Sequence, residues 1–275
     1  MIQLTDKQLM MFRDLIFDSS GLWFGDSKLS ILGNRIKTRI REYGAESPDY
    51  YFKAISSDDD RGELSHLINL VTTNETYFYR SESQMDSFRN IILPNLAEKK
   101  VAEGNRDLRI WSAGCSTGEE PYTIAMCMLE TIRFHSIWNF YIYATDISTE
   151  VLTKAMEGKY SKRSIEKLPE EYLTKYFTYR DGTYQINNTI KKLVEFDYQN
   201  LIDAYYEDGF DVIFCRNVLI YFKDKSKREI LNRFYDSMND GGYLFLGATE
   251  MIRGLVDGFK LIALKDCVVF QKEPR

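Results

Sequence analysis

The chain has 275 residues, 44% of them apolar and 28% charged, with a formal net charge of −5 and a pI near 5.3. At this size roughly three quarters of the unfolded surface can be buried, so a large domain with a smaller companion needs no disulfide or metal staple. The acidic balance argues against a general nucleic-acid binder, and no apolar run approaches the roughly 18–20 residues that cross a bilayer.

The chain starts "MIQLTDKQLM", without a charged stretch leading into an apolar core, so no signal peptide is expected. The first ninety residues carry helical periodicity. "KQLMMFRDLIFDSSGLWF" places apolar residues three and four apart and stops at Ser19–Gly21. In "SKLSILGNRIKTRIREYG", Leu29, Leu32, Ile36, Ile40 and Tyr43 fall within about 80° of one another at 100° per residue, a narrow core-facing stripe that Gly44 ends. Lys28, Arg35 and Arg39 form a row on one flank of the stripe, and Lys37 and Arg41 lie on the other. Ser47 as cap and Pro48 at the first position open a third helix, and "RGELSHLINLVT" predicts a fourth.

From "LRIWSAG" onward strands alternate with helices. Strands are expected at Leu108–Trp111, Phe140–Ala144, Phe210–Cys215 and Tyr243–Leu246, and helices at Pro121–Arg133, Thr149–Glu157 and Asp224–Met238. "KLIALKDCVVFQK" predicts a terminal hairpin that adds an antiparallel edge pair. The alternation means an α/β fold with a doubly wound, mostly parallel sheet. Between the second helix and the third strand, "YFTYRDGTYQINNTIKKLVEF" holds Asp181-Gly182 flanked by alternating Tyr, Thr and Ile. That is a type I′ hairpin signal and predicts a small antiparallel β appendage. Cys115, Cys127, Cys215 and Cys267 are far apart with no CxxC pair, and His66 and His135 are the only histidines. Neither a disulfide frame nor a metal site is expected.

The loop Ser112–Glu120 follows the first strand and therefore sits at the ligand crevice of such a sheet. Gly114 and Gly118 allow close approach of a ligand to the backbone. The helix start beyond favours anions, but Glu119 and Glu120 would repel a pyrophosphate, and neither a P-loop nor a GxGxxG fingerprint is present. A nucleoside with a cationic group and no phosphate chain fits better, and S-adenosylmethionine is one. A carboxylate can pair its ammonium, while loop amides or Arg80 take its carboxylate. The loop alone fits equally well a plain helix start with an acidic first turn. Asp146, at the end of the next strand, stands where an acid accepts from ribose hydroxyls, and Ser148 is available as the helix cap instead. "FDVIFCRNVLIYF" stops abruptly at the polar pair Arg216–Asn217, again at the crevice. "TTNETYFYR", just before the sheet, can deliver Asn74, Thr76 and Arg80 to the ligand; its composition also suits an ordinary aromatic interdomain contact.

"NETYFYR", "WSAGCSTGEEPYTIAM", "ATDIS", "FDVIFCRNVLIYF" and "GGYLFLGATE", in this order, resemble the chemotaxis receptor glutamate methyltransferases, the CheR type, and the helical start resembles that family's N-terminal domain. The resemblance implies a class I, Rossmann-like methyltransferase that uses S-adenosyl-L-methionine to form glutamate methyl esters on the cytoplasmic helical bundle of chemoreceptors, in adaptation of bacterial chemotaxis. It implies a cytoplasmic, monomeric enzyme, with no nucleic acid and no membrane insertion. Carried over by motif, Asn74, Thr76 and Arg80 match the linker that binds the cofactor. The acid for the methionine moiety falls on Glu120 rather than Glu119, beside Gly114 of the same loop. Asp146 matches the ribose acid, Asn200-Leu201 the adenine side, and Asn217-Val218 the contact after the fourth motif. Arg80 and Tyr221 match residues near the transferring methyl.

Members that grip a pentapeptide at the receptor's C-terminal tail carry a longer, glycine-rich turn in the appended hairpin. "TYRDGTYQ" has only Gly182, which implies a tether-independent member. The expected layout is a helical receptor-docking domain over 1–72, a linker over 73–90 that contributes to the cofactor site, and a methyltransferase domain over 91–275 with its insertion at about 160–195. The cluster Lys28, Arg35, Lys37, Arg39 and Arg41 stands out in an acidic protein and is expected to meet the glutamate-rich receptor. Two other classes are weighed against this: a receptor-docking module that binds cofactor without catalysing, and an RNA or small-molecule methyltransferase. The presence of Arg80 and Tyr221 disfavours the first, and the acidic pI the second.

Overall fold

Capping chemistry delimits the first helices. In the computed structural model, which describes residues 2–57, 61–72, 74–252 and 254–274, α1 runs Asp6–Ser20. Thr5 and Gln8 cap its start reciprocally, and Gly21 ends it at φ 74°. A 3₁₀ turn, Asp26–Lys28, leads into α2, Leu29–Tyr43, which Gly44 ends at φ 76°. The Ser47 hydroxyl accepts from the Tyr50 amide and opens α3, Pro48–Ser56; α4 follows at Arg61–Val71. Within the expected stripe of α2, Leu32, Ile36 and Ile40 are fully buried, while Leu29 and Tyr43 pack at its ends.

Thr73, the first linker residue of the sequence reading, lies outside the described residues. The second half of the expected linker is helical: α5 (Glu82–Ser87) and a π-helical turn (Phe88–Ile92) run on into α6 (Leu93–Ala102) as one continuous rod. The sequence reading gave no helix over 93–102, where Pro94 falls in the first turn. The π turn accommodates it: the Leu93 amide reaches back to the Phe88 carbonyl, and the wider turn absorbs the proline ring that would crowd the preceding turn.

The main sheet is built from β1 (Asp107–Ala113), β2 (Asn139–Asp146), β6 (Val194–Tyr198), β7 (Phe210–Cys215), β8 (Met238–Leu246), β9 (Phe259–Ala263) and β10 (Val268–Lys272). Their order is β6-β2-β1-β7-β8-β10-β9, parallel through β8, with β10 antiparallel to both its neighbours. Helices α7 (Glu119–Thr131), α8 (Thr149–Glu157) and α12 (Asp224–Ser237) make the crossovers. The doubly wound, mostly parallel sheet and the terminal hairpin are as expected. Chain order reverses between β1 and β7, so the ligand crevice opens beyond their carboxyl ends.

The insertion contains β3 (Lys159–Tyr160), α9 (Lys162–Ile165), α10 (Glu170–Tyr176), β4 (Phe177–Arg180), β5 (Thr183–Ile186) and α11 (Asn188–Lys191). Its three strands form a separate antiparallel sheet, β3-β5-β4. Asp181 and Gly182 both have positive φ, 49° and 79°, which is the I′ geometry expected of that pair. Two elements differ from the sequence reading. Val194–Tyr198, read as part of the appendage, is the outer strand of the main sheet, half exposed and so lacking the apolar run of its neighbours. Strand β8 starts at Met238 rather than Tyr243, since its first residues pair across an irregularity opposite Phe210–Val212.

The helical domain and the sheet share one core. Phe12, Ile16 and Tyr51 belong to the same buried cluster as Trp111, Phe210 and Phe234. The chain approaches closely at Gly21, where a Cβ would stand 2.4 Å from Ile202 Cγ2 and 3.0 Å from the Phe222 ring. Next to it, Asn200 Nδ2 donates to the Ser19 carbonyl at 3.1 Å.

Candidate active site

A cavity of about 950 Å³, counting its open mouth, lies beyond the carboxyl ends of β1 and β7. Asn74, Thr76, Arg80, Gly114, Glu120, Asp146, Asn200, Leu201, Asn217, Val218 and Tyr221 all line it. Ser20 and Leu22, from the end of α1, close one side.

The linker is held at the cavity because two adjacent residues anchor it elsewhere. Phe78 and Tyr79 are buried. Phe78 packs edge-on against Tyr160 and Phe177 of the insertion, and its amide donates to the Ser164 carbonyl at 2.9 Å. The Tyr79 amide donates to Thr123 Oγ1 at 3.2 Å and its hydroxyl to Asp86 at 2.7 Å. Asn74, Thr76 and Arg80 are left facing the cavity, so the segment serves both readings that its composition allowed. Arg80 Nη1 donates to the Glu75 carbonyl at 2.9 Å.

The glycine loop separates the two glutamates. Glu120 lines the cavity; Ser112 Oγ donates to its Oε1 at 2.7 Å and Arg216 Nη1 to its Oε2 at 3.2 Å. Glu119 is absent from that wall and accepts from Thr117 Oγ1 at 2.6 Å, facing a shallower groove beneath the insertion. Burial pushes both carboxyls above the usual range, and at Glu120 the nearby Arg216 guanidinium opposes the shift. Gly114, at φ 82°, lies against Val218: a Cβ there would be 2.5 Å from Val218 Cγ2.

Asp146 does two jobs. Its Oδ2 accepts from the Ser116 amide and its Oδ1 from the Ser148 amide, each at 2.9 Å, while the Ser148 hydroxyl caps α8 by accepting from the Val151 amide. The carboxylate thus shapes the glycine loop and still keeps lone pairs for a ligand. Burial, partly offset by these amides, raises its pKa. Asn200 likewise holds Ser19 with its amide nitrogen and takes the Ile202 amide at 3.3 Å with its oxygen.

Three residues of the site were not picked from the sequence. Gln199 Oε1 is buried and, among the described residues, has no hydrogen-bond partner, while the residue lines the cavity. Glu250, 7% exposed, accepts from the amides of Gly247 (2.6 Å), Asn217 (2.8 Å) and Ile220 (3.2 Å), and so holds Asn217 at φ 61° and sets the 217–221 turn. Arg216, noted in the sequence only as half of a polar pair, is buried at the cavity wall. Tyr221 ends a 3₁₀ turn, Leu219–Tyr221; the Trp23 amide donates to its carbonyl at 2.7 Å, and Lys28 Nζ lies 5.0 Å from its ring centroid.

The five cations expected to dock a partner do not form one surface. Arg39 donates from Nε and Nη2 to the two oxygens of buried Glu63, at 2.7 and 2.6 Å, and the Tyr51 hydroxyl adds a bond of 2.7 Å. Arg35 Nη1 donates to the Val71 carbonyl at 2.5 Å, at the end of α4. These two residues hold α4 against α2, a correction to their reading as a free docking row: the flank of the stripe they occupy packs on α4 and is only partly exposed. Lys28 lies beside Tyr221, while Lys37, partly buried, and Arg41, exposed, occupy the other flank of α2.

The CheR methyltransferase SAM-binding-domain family model matches residues 74–268, and the CheR methyltransferase all-alpha-domain model matches residues 7–72. The chain belongs to the CheR methyltransferase family. It is 37% identical over 258 residues to a chemotaxis protein methyltransferase of Borreliella burgdorferi, covering 92% of this chain and 91% of that one. It is 39% identical over 253 residues to chemotaxis protein methyltransferase 2 of Vibrio cholerae, covering 90% and 87%. It is 33% identical over 275 residues to the chemotaxis protein methyltransferase of Vibrio parahaemolyticus, covering 98% of each. The protein is an S-adenosyl-L-methionine-dependent methyltransferase.

The cavity suits that cofactor: a bare Cα at Gly114 beside Val218, an inward carboxylate at Glu120, another at Asp146, and an unpartnered acceptor at Gln199. Among the described residues no helix is long and apolar enough to cross a membrane, and no group of three or more His, Cys, Asp or Glu could hold a metal.

Proposed function

We propose that the protein is a protein-glutamate O-methyltransferase acting on the cytoplasmic helical bundle of chemoreceptors. The observation that carries this is the convergence of Arg80 and Tyr221 with the residues matched to cofactor binding in one cavity. In this reading Glu120 pairs the ammonium, Arg80 the carboxylate, Asp146 the ribose hydroxyls, and Gln199 Oε1 with Asn200-Leu201 the adenine edge; Asn74, Thr76, Asn217 and Val218 complete the wall. When bound, S-adenosyl-L-methionine supplies an electrophilic methyl group on a sulfonium.

A substrate glutamate, with a reference pKa near 4.3, is already ionised at pH 7, so no general base is needed. The chain's own residues have to desolvate and aim that carboxylate. Arg80 offers charge-assisted donors and Tyr221 a hydroxyl from the other side, with Lys28 beside Tyr221 to steer the anion in. Holding reacting groups in line of attack can supply roughly 7–11 kcal/mol of a barrier. Labelled cofactor incubated with receptor fragments should give a base-labile label on glutamate. A base-stable label, or label on RNA or a small molecule instead, would refute the assignment.

Asp146→Asn keeps one acceptor for the loop amides and removes the charge. Affinity for S-adenosylhomocysteine should fall by roughly tenfold, the equivalent of a bond to a charged group worth about 1.5 kcal/mol or more. Calorimetry with unchanged affinity would remove Asp146 from the ribose site. Asp146→Ala is the poorer probe, because it also strips the Ser116 and Ser148 amides of their acceptor.

Receptor docking is assigned to the flank of α2 that carries Lys37 and Arg41 as its cations, with Lys28 beside Tyr221. Exposed pairs are each worth about 0.2–1 kcal/mol, so Lys37→Ala/Arg41→Ala should raise KM for receptor roughly threefold to tenfold. The salt dependence should flatten, since screening shortens from about 10 Å at 0.1 M to about 3 Å at 1 M, and affinity for S-adenosylhomocysteine should not change. Normal KM with a normal salt response would make this side of α2 a plain solvated surface. The two-residue turn between β4 and β5 leaves no extended loop beside the appendage sheet, which supports recognition without a C-terminal tether. The reading places the enzyme in the cytoplasm, where the receptor bundle lies.

A further inference from the structure

Arg216 follows directly on the last residue of β7 and is 6% exposed. Its two terminal nitrogens go to two different elements. Nη1 donates to Glu120 Oε2 at 3.2 Å, at the start of α7, and Nη2 donates to the main-chain oxygen of Arg80, at the end of the linker. Nε is buried without a partner among the described residues. A guanidinium is costly to bury, and this one spends its contacts on the two groups that face a ligand rather than on closing the sheet. It is also the only side chain that joins Glu120 to Arg80 in the recorded hydrogen bonds among the described residues.

We propose that Arg216 is a positioning residue for the amino-acid end of the cofactor: it fixes Glu120 as the ammonium acceptor and ties the Arg80 main chain to the same point. The inference rests on the placement of the methionine moiety at Glu120. An ammonium needs an ionised acceptor, and Arg216 is the largest influence opposing the upward push of burial on Glu120. Ser112 holds the other oxygen, so the carboxylate is fixed from both sides. Tying Arg80 by its carbonyl places that residue's guanidinium, whose Nη1 donates to the Glu75 carbonyl, with its remaining donors available to the cofactor carboxylate and a substrate anion. The groups assigned to the nucleoside end, Asp146, Gln199 and Asn200, have no recorded hydrogen bond with Arg216. Its removal should therefore be felt at one end of the ligand only.

Lysine at this position keeps the charge but offers a single point where the two acceptors need a fork. Calorimetry on Arg216→Lys with S-adenosylhomocysteine should show affinity lowered roughly tenfold or more. With 5′-methylthioadenosine, which lacks the amino and carboxyl groups, affinity should stay within about twofold. Loss of both ligands alike marks a merely structural residue and overturns the proposal, as does wild-type affinity for S-adenosylhomocysteine. Glu120→Gln, measured alongside, separates the two readings. If it binds S-adenosylhomocysteine normally, the placement of the ammonium fails and the role of Arg216 falls with it; if it shows the one-ended loss and Arg216→Lys does not, only Arg216 is overturned. Should Arg216→Lys fail to fold, Glu120→Gln/Arg216→Met removes both buried charges. Its turnover at saturating cofactor should be roughly tenfold below that of Glu120→Gln alone, with 5′-methylthioadenosine affinity unchanged, because Arg80 has lost its tie. Equal turnover overturns the proposal.

Discussion

Gly114→Ala is expected to lower turnover by on the order of 10²-fold, the scale of loss that follows a displacement of about 1 Å in a positioned site. Two effects act together. At φ 82° the backbone is in a region that costs a side chain about 1–3 kcal/mol. The added Cβ would also stand 2.5 Å from Val218 Cγ2, so Val218, or the 217–221 turn that Glu250 holds, has to move into the cavity. Affinity for S-adenosylhomocysteine should fall with turnover, since the displaced side chain occupies the ligand's space. Full activity in Gly114→Ala would show that the loop can yield, and that the close approach serves packing rather than the ligand.

Arg39→Ala is expected to destabilise the protein by about 3 kcal/mol, the lower end of the range for breaking a buried pair, because Arg39 itself is 21% exposed while Glu63 is 5% exposed. For a chain of this size that lowers Tm by roughly 6–10 °C, while Arg41→Ala leaves it unchanged. Burial pushes the Glu63 carboxyl up, and the bonds from Arg39 and Tyr51 outweigh it and hold it below its ordinary value. A depressed carboxylate contributes stability above its unfolded pKa, about 4.3, and loses that contribution as pH falls through the folded pKa. The gap between wild type and Arg39→Ala should therefore be full at neutral pH and narrow in acid. A Tm within about 1 °C of wild type at pH 7 would mean that the pair carries no net stability. The same variant would look like a docking mutant in a receptor assay, through loss of fold rather than of contact.

That confusion marks the limit of what charge patterning on a helix can show. The periodicity of α2 located its buried stripe, but a stripe has two flanks, and the sequence does not say which one a neighbouring helix covers. Glu63, the residue that claims Arg39, lies twenty-four positions away on α4. Features that depend on a few adjacent residues were legible: Ser47 and Gly44 as caps, Asp181-Gly182 as a turn, and the polar residues that end the buried strands at the crevice. Glu120 and Glu119 are chemically alike and adjacent. The motif match chose Glu120, and the turn of α7 after Gly118, which sends one toward Arg216 and the other toward Thr117, supplies the physical reason. Strand β6 was missed because an edge strand with one face toward solvent alternates like a hairpin arm. Glu250 was missed because its three partners are backbone amides, which leave no trace in residue identity.

The contact at Gly21 bears on how such a protein can be recombined. The end of α1 supplies Ser20 and Leu22 to the cavity wall, hands the Ser19 carbonyl to Asn200, and fits against Ile202 and Phe222 with no room for a methyl group. A chimera that grafts the helical part of one relative onto the catalytic part of another breaks this junction unless residues 19–22 travel with 200–202 and 222. The helical part and the surface that holds the cofactor thus form one heritable unit, and, on the docking role proposed for α2, a change of target is more readily reached by altering that helix than by exchanging the whole domain.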